Sequence, residues 1–304
     1  VRIRKWLDLI IGAYVDYYTP ETVPFFWLYD FLLCNTKRHH SVFADHPHAF
    51  YIPWGTDLEL FKPEVKPTAG EEVAFFHSCG VSPLRKGTDL LLKAFRRVEG
   101  PARLVIHSQS ALDGDKVPLS LITQDDRIEL IVAEVGGPGL YHLGDVYVYP
   151  SRLEGIGLTI AEALASGLPV ITTDVPPMNE FVEDGVNGKL VQVERTERRG
   201  DNYYWPQSVC SESGLAEAMQ LYVDNRHLIR QHQQAAREYA EANLDWRENS
   251  RALPQAIGGI SHHPGSCDPR LLEAAVEYER SRYRRSYPFV LEPVVDLLRR
   301  TSLR

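Results

Sequence analysis

Residues 145–174 (DVYVYPSRLEGIGLTIAEALASGLPVITTD) constrain the fold most strongly, because two strand-like stretches flank a helical pattern. Valine and tyrosine alternate over residues 145–149, which predicts a half-buried strand that Pro150 ends. Apolar residues then recur at helical spacing up to Gly167, a residue type that often follows a helix C-terminus. Residues 169–173 predict a second, buried strand. Strand, glycine turn, helix and strand together predict a βαβ unit.

Similar patterns on both sides of this unit predict an α/β fold with a doubly wound, mostly parallel sheet. Strands are predicted over residues 73–79, 103–108, 127–135, 145–149, 169–173 and 188–193. Thr88 is the predicted N-cap of a helix over residues 89–98. Such sheets are covered by helices on both faces, and ligands bind beyond the carboxyl ends of their strands. The turns at residues 80–87 and 150–158 both follow strands, so both are expected to face that crevice.

Two acids, Glu154 and Glu162, lie on either side of the expected helix start near Gly157. A helix N-terminus carries unpaired N–H groups and about half a positive charge, so it suits a diphosphate. Glycines at positions 155 and 157 would let a ligand approach the backbone closely. An ordinary solvated acid is the alternative explanation for either glutamate taken alone.

The string EGIGLTIAE, from Glu154 to Glu162, resembles the E-x7-E signature of retaining GT-B glycosyltransferases of the group 1, GT4-like, type. The similarity continues through ALASGLPVITTD and PPMNEFVEDGVNGKLV to residue 191. The resemblance implies a GT-B architecture with one complete Rossmann-like domain and a remnant of a second. It also implies transfer of a sugar, with retention at the anomeric carbon, from a nucleotide sugar to a glycan, lipid or other hydroxyl acceptor. No metal or other cofactor is expected.

The resemblance also implies roles for individual residues. Glu154 would contact the transferred sugar, and Lys86 and Arg85 would stabilise the departing diphosphate as catalytic cations. Lys86 matches the phosphate-binding lysine of the family, whereas Val81 stands where the family usually has arginine, so Arg85 is the expected substitute. The residues predicted to bind the nucleotide sugar are Gly80, Lys86, Gly157, Leu158, Thr159 and Glu162, the last at the ribose hydroxyls. Two solvated surface charges are the alternative explanation of Arg85 and Lys86.

The chain is expected to divide into three parts. Residues 1–55 are interpreted as the remnant of an N-terminal, acceptor-binding domain and hinge, residues 56–255 as the donor domain, and residues 256–304 as a linker and helical tail. The first part is predicted to contain an amphipathic helix at residues 3–15, strands at residues 31–35 and 49–53, and a helical turn at residues 36–43. These elements are too few to enclose a core. Roughly the first half of a GT-B enzyme is therefore expected to be absent, so a separate N-terminal half is a predicted partner. A non-catalytic or split-subunit nucleotide-sugar-binding module is the alternative function.

Composition and charge exclude other classes. The net charge of −8 argues against a nucleic-acid-binding protein. The four cysteines have no CxxC spacing, so neither a zinc site nor a disulfide framework is predicted, and a reducing cytoplasm is the expected location. No apolar run reaches the ~20 residues of a membrane helix. Contact between the arginine-rich tail and the inner membrane surface is nevertheless one expectation. A solvated helix and a partner contact are the alternatives.

Four further patterns receive plain interpretations. Asp113 and Asp115 form a D-x-D motif in a polar stretch, which predicts a simple turn. The histidines at positions 39, 40, 46, 48, 262 and 263 lack partners at metal-ligand spacing and are interpreted as loop residues. Residues 194–206 are predicted to be a charged loop, whose aromatic residues 203–205 either line the cleft or pack on the core. Residues 258–269 are predicted to be a linker.

Overall fold

The structure is a computed structural model that describes residues 9–64 and 72–286. In these residues the strands are β1 Gly12–Tyr14, β2 Phe31–Cys34, β3 Ala49–Tyr51, β4 Val73–Gly80, β5 Ala102–Ser108, β6 Ile128–Val132, β7 Val146–Tyr149, β8 Val170–Thr173, β9 Gly188–Val191, β10 Val193–Glu197 and β11 Gln207–Cys210. The α-helices are α1 Lys37–Val42, α2 Thr88–Phe95, α3 Ser120–Thr123, α4 Leu158–Ala165, α5 Glu212–Asp224, α6 His227–Asn243, α7 Trp246–Ser250, α8 Ala252–Gly258 and α9 Pro269–Ser286.

Strands β4 to β9 form one parallel sheet, in the order β6-β5-β4-β7-β8-β9. The predicted α/β, doubly wound fold is therefore confirmed. The direction of winding reverses between β4 and β7, which pair directly, with Phe75 opposite Val146. The turns that follow these two strands consequently lie side by side at the carboxyl edge of the sheet, the usual ligand position in such folds.

Helices cover both faces of this large sheet. Phe75, Leu104 and Val148 belong to a core with α2 and α5, whereas Phe76 and Tyr147 belong to a core with α4 and α6. Successive strand residues point to opposite faces, so a central strand between two helical layers has no solvated side. The prediction that β7 is half-buried is therefore wrong, because all four of its residues are buried.

The start of α2 also differs from the prediction. Gly87, rather than Thr88, is the N-cap, and its φ of 74° is in the left-handed region. Thr88 is the first helical residue, and its hydroxyl lies 2.8 Å from Nε2 of His77. The Nδ1 atom of His77 lies 2.8 Å from the carbonyl oxygen of Val148. Because a carbonyl only accepts, Nδ1 must carry the proton, and Nε2 accepts from the threonine. The threonine hydroxyl thus donates to His77 on β4 instead of capping the N-terminus of α2.

A second, smaller parallel sheet has the strand order β1-β2-β3. Its β2 and β3 confirm the two strands predicted in this region. The helix predicted over residues 3–15 is wrong in its described part, because Gly12–Tyr14 is a strand beside β2; residues 1–8 lie outside the described residues. A β-carbon at Gly12 would lie 2.1 Å from the ring of Phe31. The glycine therefore lets β1 lie close to the side chains of its neighbour.

The small sheet has a core that the sequence did not predict. The buried residues of this core are Val15, Tyr18, Leu32, Cys34 and Phe43. Trp205, from the loop between β10 and β11, packs against the same cluster. Its indole N–H donates to the hydroxyl of Tyr18 at 2.8 Å. The larger domain thus supplies apolar surface that the few N-terminal elements lack.

The segment predicted as a charged loop at residues 194–206 is partly a strand, because β10 pairs antiparallel with β11. The aromatic residues that follow lie between the two sheets. Tyr203 stacks on Tyr17 with the ring centroids 5.1 Å apart. The structure therefore selects packing on a core, rather than lining a cleft, for this aromatic patch.

After α6 the chain returns to the small sheet. Residues 258–269 are predicted to be a linker, but they contain a 3₁₀ turn at Pro264–Cys267 and pack on this sheet. His263 is buried against the ring of Trp27 and lies 2.8 Å from the carbonyl oxygen of Tyr29. The predicted linker is thus fastened beside β2, because His262 and His263 find partners at Asp30 and Tyr29.

The predicted helical tail is present as α9. It packs against the 3₁₀ turn at Val23–Leu28 through the rings of Phe25 and Tyr278. Residues 287–304, which include the LLRR part of the arginine-rich tail, lie outside the described residues. Among the helices that the structure describes, none combines the length and apolar character that crossing a bilayer requires.

The buried, neutral His77 predicts a pH-dependent stability. Burial lowers the pKa of His77 from 6.5 to about 4. The unfolded chain therefore binds a proton more readily than the folded one below pH 6.5, and stability is lost as the pH falls from 6.5 towards 4. Between pH 7.5 and pH 5 the unfolding free energy of the wild type should fall by about 2 kcal/mol more than that of His77→Gln.

Urea denaturation at several pH values measures this difference. Glutamine can donate to Val148 and accept from Thr88, so the variant keeps the local hydrogen bonds. Replacement of the exposed His227 by glutamine is the matched control, and it should retain the wild-type dependence. Equal pH slopes for the wild type and His77→Gln would contradict the assignment.

Candidate functional site

The turns after β4 and β7 are fastened together at the carboxyl edge of the large sheet. Gly87 approaches so closely that a β-carbon there would lie 2.1 Å from the carbonyl oxygen of Pro150. Arg152 donates its backbone N–H to the carbonyl of Arg85 at 2.8 Å. Its guanidinium forms a two-point ion pair with Asp89, with both contacts at 2.8 Å. The side chains that these turns carry are therefore held in fixed relative positions.

Glu154 is the centre of a buried charge cluster. Its Oε1 accepts from Nζ of Lys86 at 2.8 Å and from Nη1 of Arg85 at 3.1 Å. The hydroxyls of Ser151 and Tyr149 donate to the same oxygen at 2.5 and 2.9 Å. Only 7% of Glu154 is exposed. The structure thus brings together the three side chains that the sequence predicted to be catalytic.

Burial and charge pairing oppose each other in this cluster. Burial alone would raise the pKa of Glu154, but the positive charges of Lys86 and Arg85 outweigh it, so the pKa lies below its usual value. Burial lowers the pKa of Lys86, and the carboxylate beside it opposes that change. An ammonium group has three N–H donors, of which Glu154 and Tyr149 take two. The third can bind an anionic oxygen without breaking the ion pair.

Glu162 lies on the second turn of α4 and accepts a hydrogen bond from the hydroxyl of Tyr141 at 2.6 Å. Burial raises the pKa of Glu162, and the hydrogen bond from Tyr141 opposes this rise. The ring of Tyr147 lies between those of Tyr141 and Tyr149, with centroid distances of 5.6 and 5.4 Å. Because Tyr149 donates to Glu154, a continuous layer of tyrosines joins the two acids.

The N-terminus of α4 lies next to this cluster. The helix begins at Leu158 with Gly157 as its N-cap, as predicted. Gly157 has a φ of 92° and no side chain, so no side chain at this position caps the first N–H groups of the helix. These groups carry the positive end of the helix dipole. They therefore offer hydrogen-bond donors to an anion only a few residues from Glu154.

The remaining predicted residues lie at the same edge. Gly80 ends β4 with a φ of 54°, and a β-carbon there would meet nothing within 4 Å. Val81 beyond it is 69% exposed, so this end of the strand is open. The structure thus gathers every predicted site residue along the carboxyl edge between β4 and α4: Gly80, Arg85, Lys86, Glu154, Gly157, Leu158, Thr159 and Glu162. Their roles in binding and catalysis stay predictions.

Sequence reasoning missed the hydroxyl groups that bind the two acids, which belong to Tyr141, Tyr149 and Ser151. The alternation over residues 145–149 contained part of this signal, because it places Tyr147 and Tyr149 on the same face of the strand. Buried phenols usually find hydrogen-bond partners. The partner of Tyr149 depends on how the following loop folds back, which the alternation does not reveal.

A cavity of about 1050 Å³ opens at the other end of β7, beside the C-terminus of α4. Its lining includes Asp145, Gly167 and Arg237, and none of the predicted site residues. Arg237 already donates to the carbonyl oxygens of Ala165 and Phe61 at 2.7 and 3.0 Å. In this cavity Arg237 is engaged by the backbone, whereas the convergent charges lie at the carboxyl edge.

The plain interpretations of the D-x-D motif and the histidines have different outcomes. Asp113 accepts from the backbone N–H of Asp115 at 3.0 Å and pairs with Lys116 at 2.7 Å, so the predicted turn is confirmed. His39 and His40 lie in α1, so the loop interpretation is wrong for these two. Within the described part of the chain, no three metal-binding side chains are grouped to hold an ion.

The close approach at Gly87 predicts that a side chain there destabilises the fold in two ways, through the left-handed backbone conformation and through a clash with Pro150. Gly185 serves as the control for the backbone conformation alone. Gly185 has a φ of 75° and open space around it, and Gly185→Ala should lose about 1–2 kcal/mol for the left-handed conformation alone. Gly87→Ala adds a clash with a backbone oxygen and should lose about 3 kcal/mol or more. Chemical denaturation of both variants measures the difference, and equal losses would mean that the two turns separate easily.

Comparison with known proteins agrees with this geometry. Residues 73–199 match the family model described as Glycosyl transferases group 1. A lipopolysaccharide core biosynthesis mannosyltransferase of Rhizobium meliloti is 43% identical over 172 residues, which cover 49% of this chain and 47% of the relative. A GDP-mannose-dependent phosphatidylinositol monomannoside mannosyltransferase of Mycobacterium tuberculosis is 28% identical over 191 residues, which cover 54% and 48%. The chain thus spans about half the length of these curated relatives.

Solved structures with a similar fold include the Anabaena protein HepE in complex with UDP, with a TM-score of 0.66 at 18% identity, covering 84% of this chain and 74% of HepE. Sucrose-phosphate synthase from Thermosynechococcus elongatus has a TM-score of 0.60 at 23% identity, covering 75% of this chain and 57% of the synthase. At these identities the likeness establishes the fold. The chain therefore has the α/β architecture of GT-B glycosyltransferases, and its residues 73–199 are similar to the glycosyl transferases group 1 family.

Proposed function

We propose that this chain provides the donor site of a retaining glycosyltransferase that takes its sugar from a nucleotide sugar. One observation carries the proposal: Lys86, Arg85 and Glu154 meet beside the uncapped N-terminus of α4, and tyrosines connect them to Glu162. Cations and helix N–H groups suit a diphosphate, whereas carboxylates suit the hydroxyls of sugars. These two chemistries occur together in a nucleotide sugar.

In the proposed reaction, the bond between the anomeric carbon and the phosphate oxygen breaks, and a bond from that carbon to the acceptor oxygen forms on the same face. Lys86, Arg85 and the N-terminus of α4 stabilise the charge that develops on the departing diphosphate. The departing phosphate takes the proton of the acceptor hydroxyl, so no separate protein base is required. Glu154 orients the sugar through its hydroxyls, and Glu162 binds the ribose.

The class of donor and acceptor is proposed from the relatives. One relative is named as GDP-mannose-dependent, and similar folds hold UDP or UDP-glucose. The relatives act, by name, on a phosphatidylinositol mannoside and in lipopolysaccharide core synthesis. We therefore propose a hexose donor and a carbohydrate or lipid-linked acceptor. Because the chain spans about half the length of these relatives, we assign the acceptor site to a part of the enzyme outside the described residues. Contact between the arginine-rich tail and a membrane surface on the cytoplasmic side stays part of this proposal.

The alternative, a module that binds the nucleotide sugar without transferring it, rests on the same site. Two experiments distinguish the enzyme from the binding module. UDP, GDP, UDP-glucose and GDP-mannose are first titrated in thermal-shift and calorimetric experiments, and nucleotide release is then assayed. A bound ligand raises the unfolding temperature by mass action. Binding with slow release of UDP or GDP supports the enzyme, and NMR of the product sugar reports retention or inversion. Binding with no release, even with added acceptor glycans, supports the module. If no nucleotide or nucleotide sugar binds, both are wrong.

Glu162 predicts a specific loss of nucleotide affinity. Glu162→Gln removes the charge but can still accept from Tyr141, so the fold should persist. A hydrogen bond to a charged group contributes about 1.5–3 kcal/mol, so the Kd for the nucleoside diphosphate that binds the wild type should rise roughly 10- to 100-fold. Glu217→Gln, at an exposed position on α5, is the control and should bind like the wild type. An unchanged Kd for Glu162→Gln would remove this residue from the nucleotide site.

A further inference from the structure

The short helix α1 of the small sheet reaches the loop that carries Glu154. The guanidinium of Arg38 donates through Nη2 to the carbonyl oxygen of Glu154 and through Nη1 to that of Pro176 at 2.7 Å. Glu154 follows β7, whereas Pro176 follows the neighbouring strand β8. Arg38 therefore bridges two adjacent loops at the carboxyl edge of the large sheet, although it belongs to the small one.

His39 contacts the next carbonyl along the same loop. Its Nε2 lies 3.3 Å from the carbonyl oxygen of Gly155, and its Nδ1 lies 2.9 Å from the hydroxyl of Tyr18. Trp205 can only donate, and it donates to the oxygen of Tyr18. The tyrosine proton therefore goes to Nδ1, and Nε2 carries the proton that binds Gly155. Burial lowers the pKa of His39 to about 4, which keeps this neutral form.

A third contact fixes α1 in place. The carboxylate of Glu180, which follows β8, accepts from the backbone N–H groups of Lys37 and Arg38 at 2.7 and 2.8 Å. These are the first N–H groups of α1, so the carboxylate lies at the positive end of the helix. The donor domain thus binds the start of α1, and α1 in turn binds two loops of the donor domain.

Arg38 is a costly residue to bury for the sake of stability alone. It is 5% exposed, its side chain donates to neutral carbonyls, and in the described part of the chain its buried Nε has no hydrogen-bond partner. A buried charge without a directly bonded carboxylate loses hydration that carbonyl contacts only partly replace. An apolar contact would join the two sheets at lower cost. What the guanidinium adds is geometry, because its planar fork holds two carbonyls at a fixed separation.

We propose that Arg38 and His39 are positioning residues, which hold the main chain at residues 154–155 so that Glu154 stays aligned with Lys86 and the N-terminus of α4. The donor site is then complete only while the small sheet is docked on the large one. The link to donor binding rests on the proposed function, whereas the positioning of the loop does not.

Hydrogen exchange tests the positioning without any ligand. In Arg38→Gln and His39→Phe, the peptide that covers residues 151–160, which contains the hydrogen-bonded amides of Arg152 and Ile160, should exchange at least tenfold faster than in the wild type, while β4 and β8 keep their protection. His39→Gln retains an N–H donor for Gly155 and should restore slow exchange, which a role in filling space would not predict. Arg195→Gln, on the exposed strand β10, is the control.

Exchange within twofold of the wild type in both Arg38→Gln and His39→Phe would overturn the proposal. If Arg38→Gln does not fold, Tyr18→Phe decides, because it keeps the ring and removes the hydroxyl that orients His39 and accepts from Trp205. Faster exchange at residues 151–160 in Tyr18→Phe then supports the proposal, and unchanged exchange overturns it.

Titration with UDP and GDP tests the consequence for the donor site. If the wild type binds one of them, Arg38→Gln should raise the Kd at least fivefold, and the KM of any donor should rise more than kcat falls. An unchanged Kd together with fast exchange would overturn the claim that docking completes the site. If the wild type binds neither nucleotide, the proposed function fails, and the exchange result still decides whether Arg38 and His39 position the loop.

Discussion

The buried ion pair between Lys86 and Glu154 is the interaction on which the geometry of this molecule depends. Removing both charges from water is unfavourable, and either charge alone at this position would destabilise the fold. The pair is tolerated because Arg85, Ser151 and Tyr149 add hydrogen bonds to the same carboxylate oxygen. These groups come from β4, β7 and their turns, so the pair forms only where the winding of the sheet reverses. The charge cluster therefore depends on the sheet topology.

The tyrosines on β7 extend this cluster towards Glu162. Each ring supplies apolar surface to the core with α4 and α6, and the hydroxyls of Tyr141 and Tyr149 reach the acids at the edge. One set of side chains thus packs the sheet and orients the carboxylates. This dual use explains why the strand is fully buried although it carries polar groups. It also makes the positions of the two acids interdependent, since both are bonded to one layer of contacting tyrosine rings.

The small sheet has a closer relation to the candidate site than its size suggests. Its core is completed by Trp205 from the larger domain, and its α1 binds carbonyls of the loops after β7 and β8. The contacts of α1 are polar and directional, so they specify one orientation of the loop that carries Glu154, whereas Trp205 contributes apolar packing between the two sheets.

The sequence by itself determined the α/β class, the strands of the large sheet and the start of α4, because periodicity and turn chemistry are local properties. Its resemblance to a known family supplied the eight candidate site residues. Only the tertiary structure decided that β1 is a strand, that Thr88 binds His77 instead of capping α2, and that Tyr141, Tyr149 and Arg38 reach the site. Each of these outcomes depends on partners distant in the chain. A glycine or threonine with weak local preference takes the conformation that its neighbours in space allow, and a buried hydroxyl or guanidinium takes the acceptor that the fold brings to it.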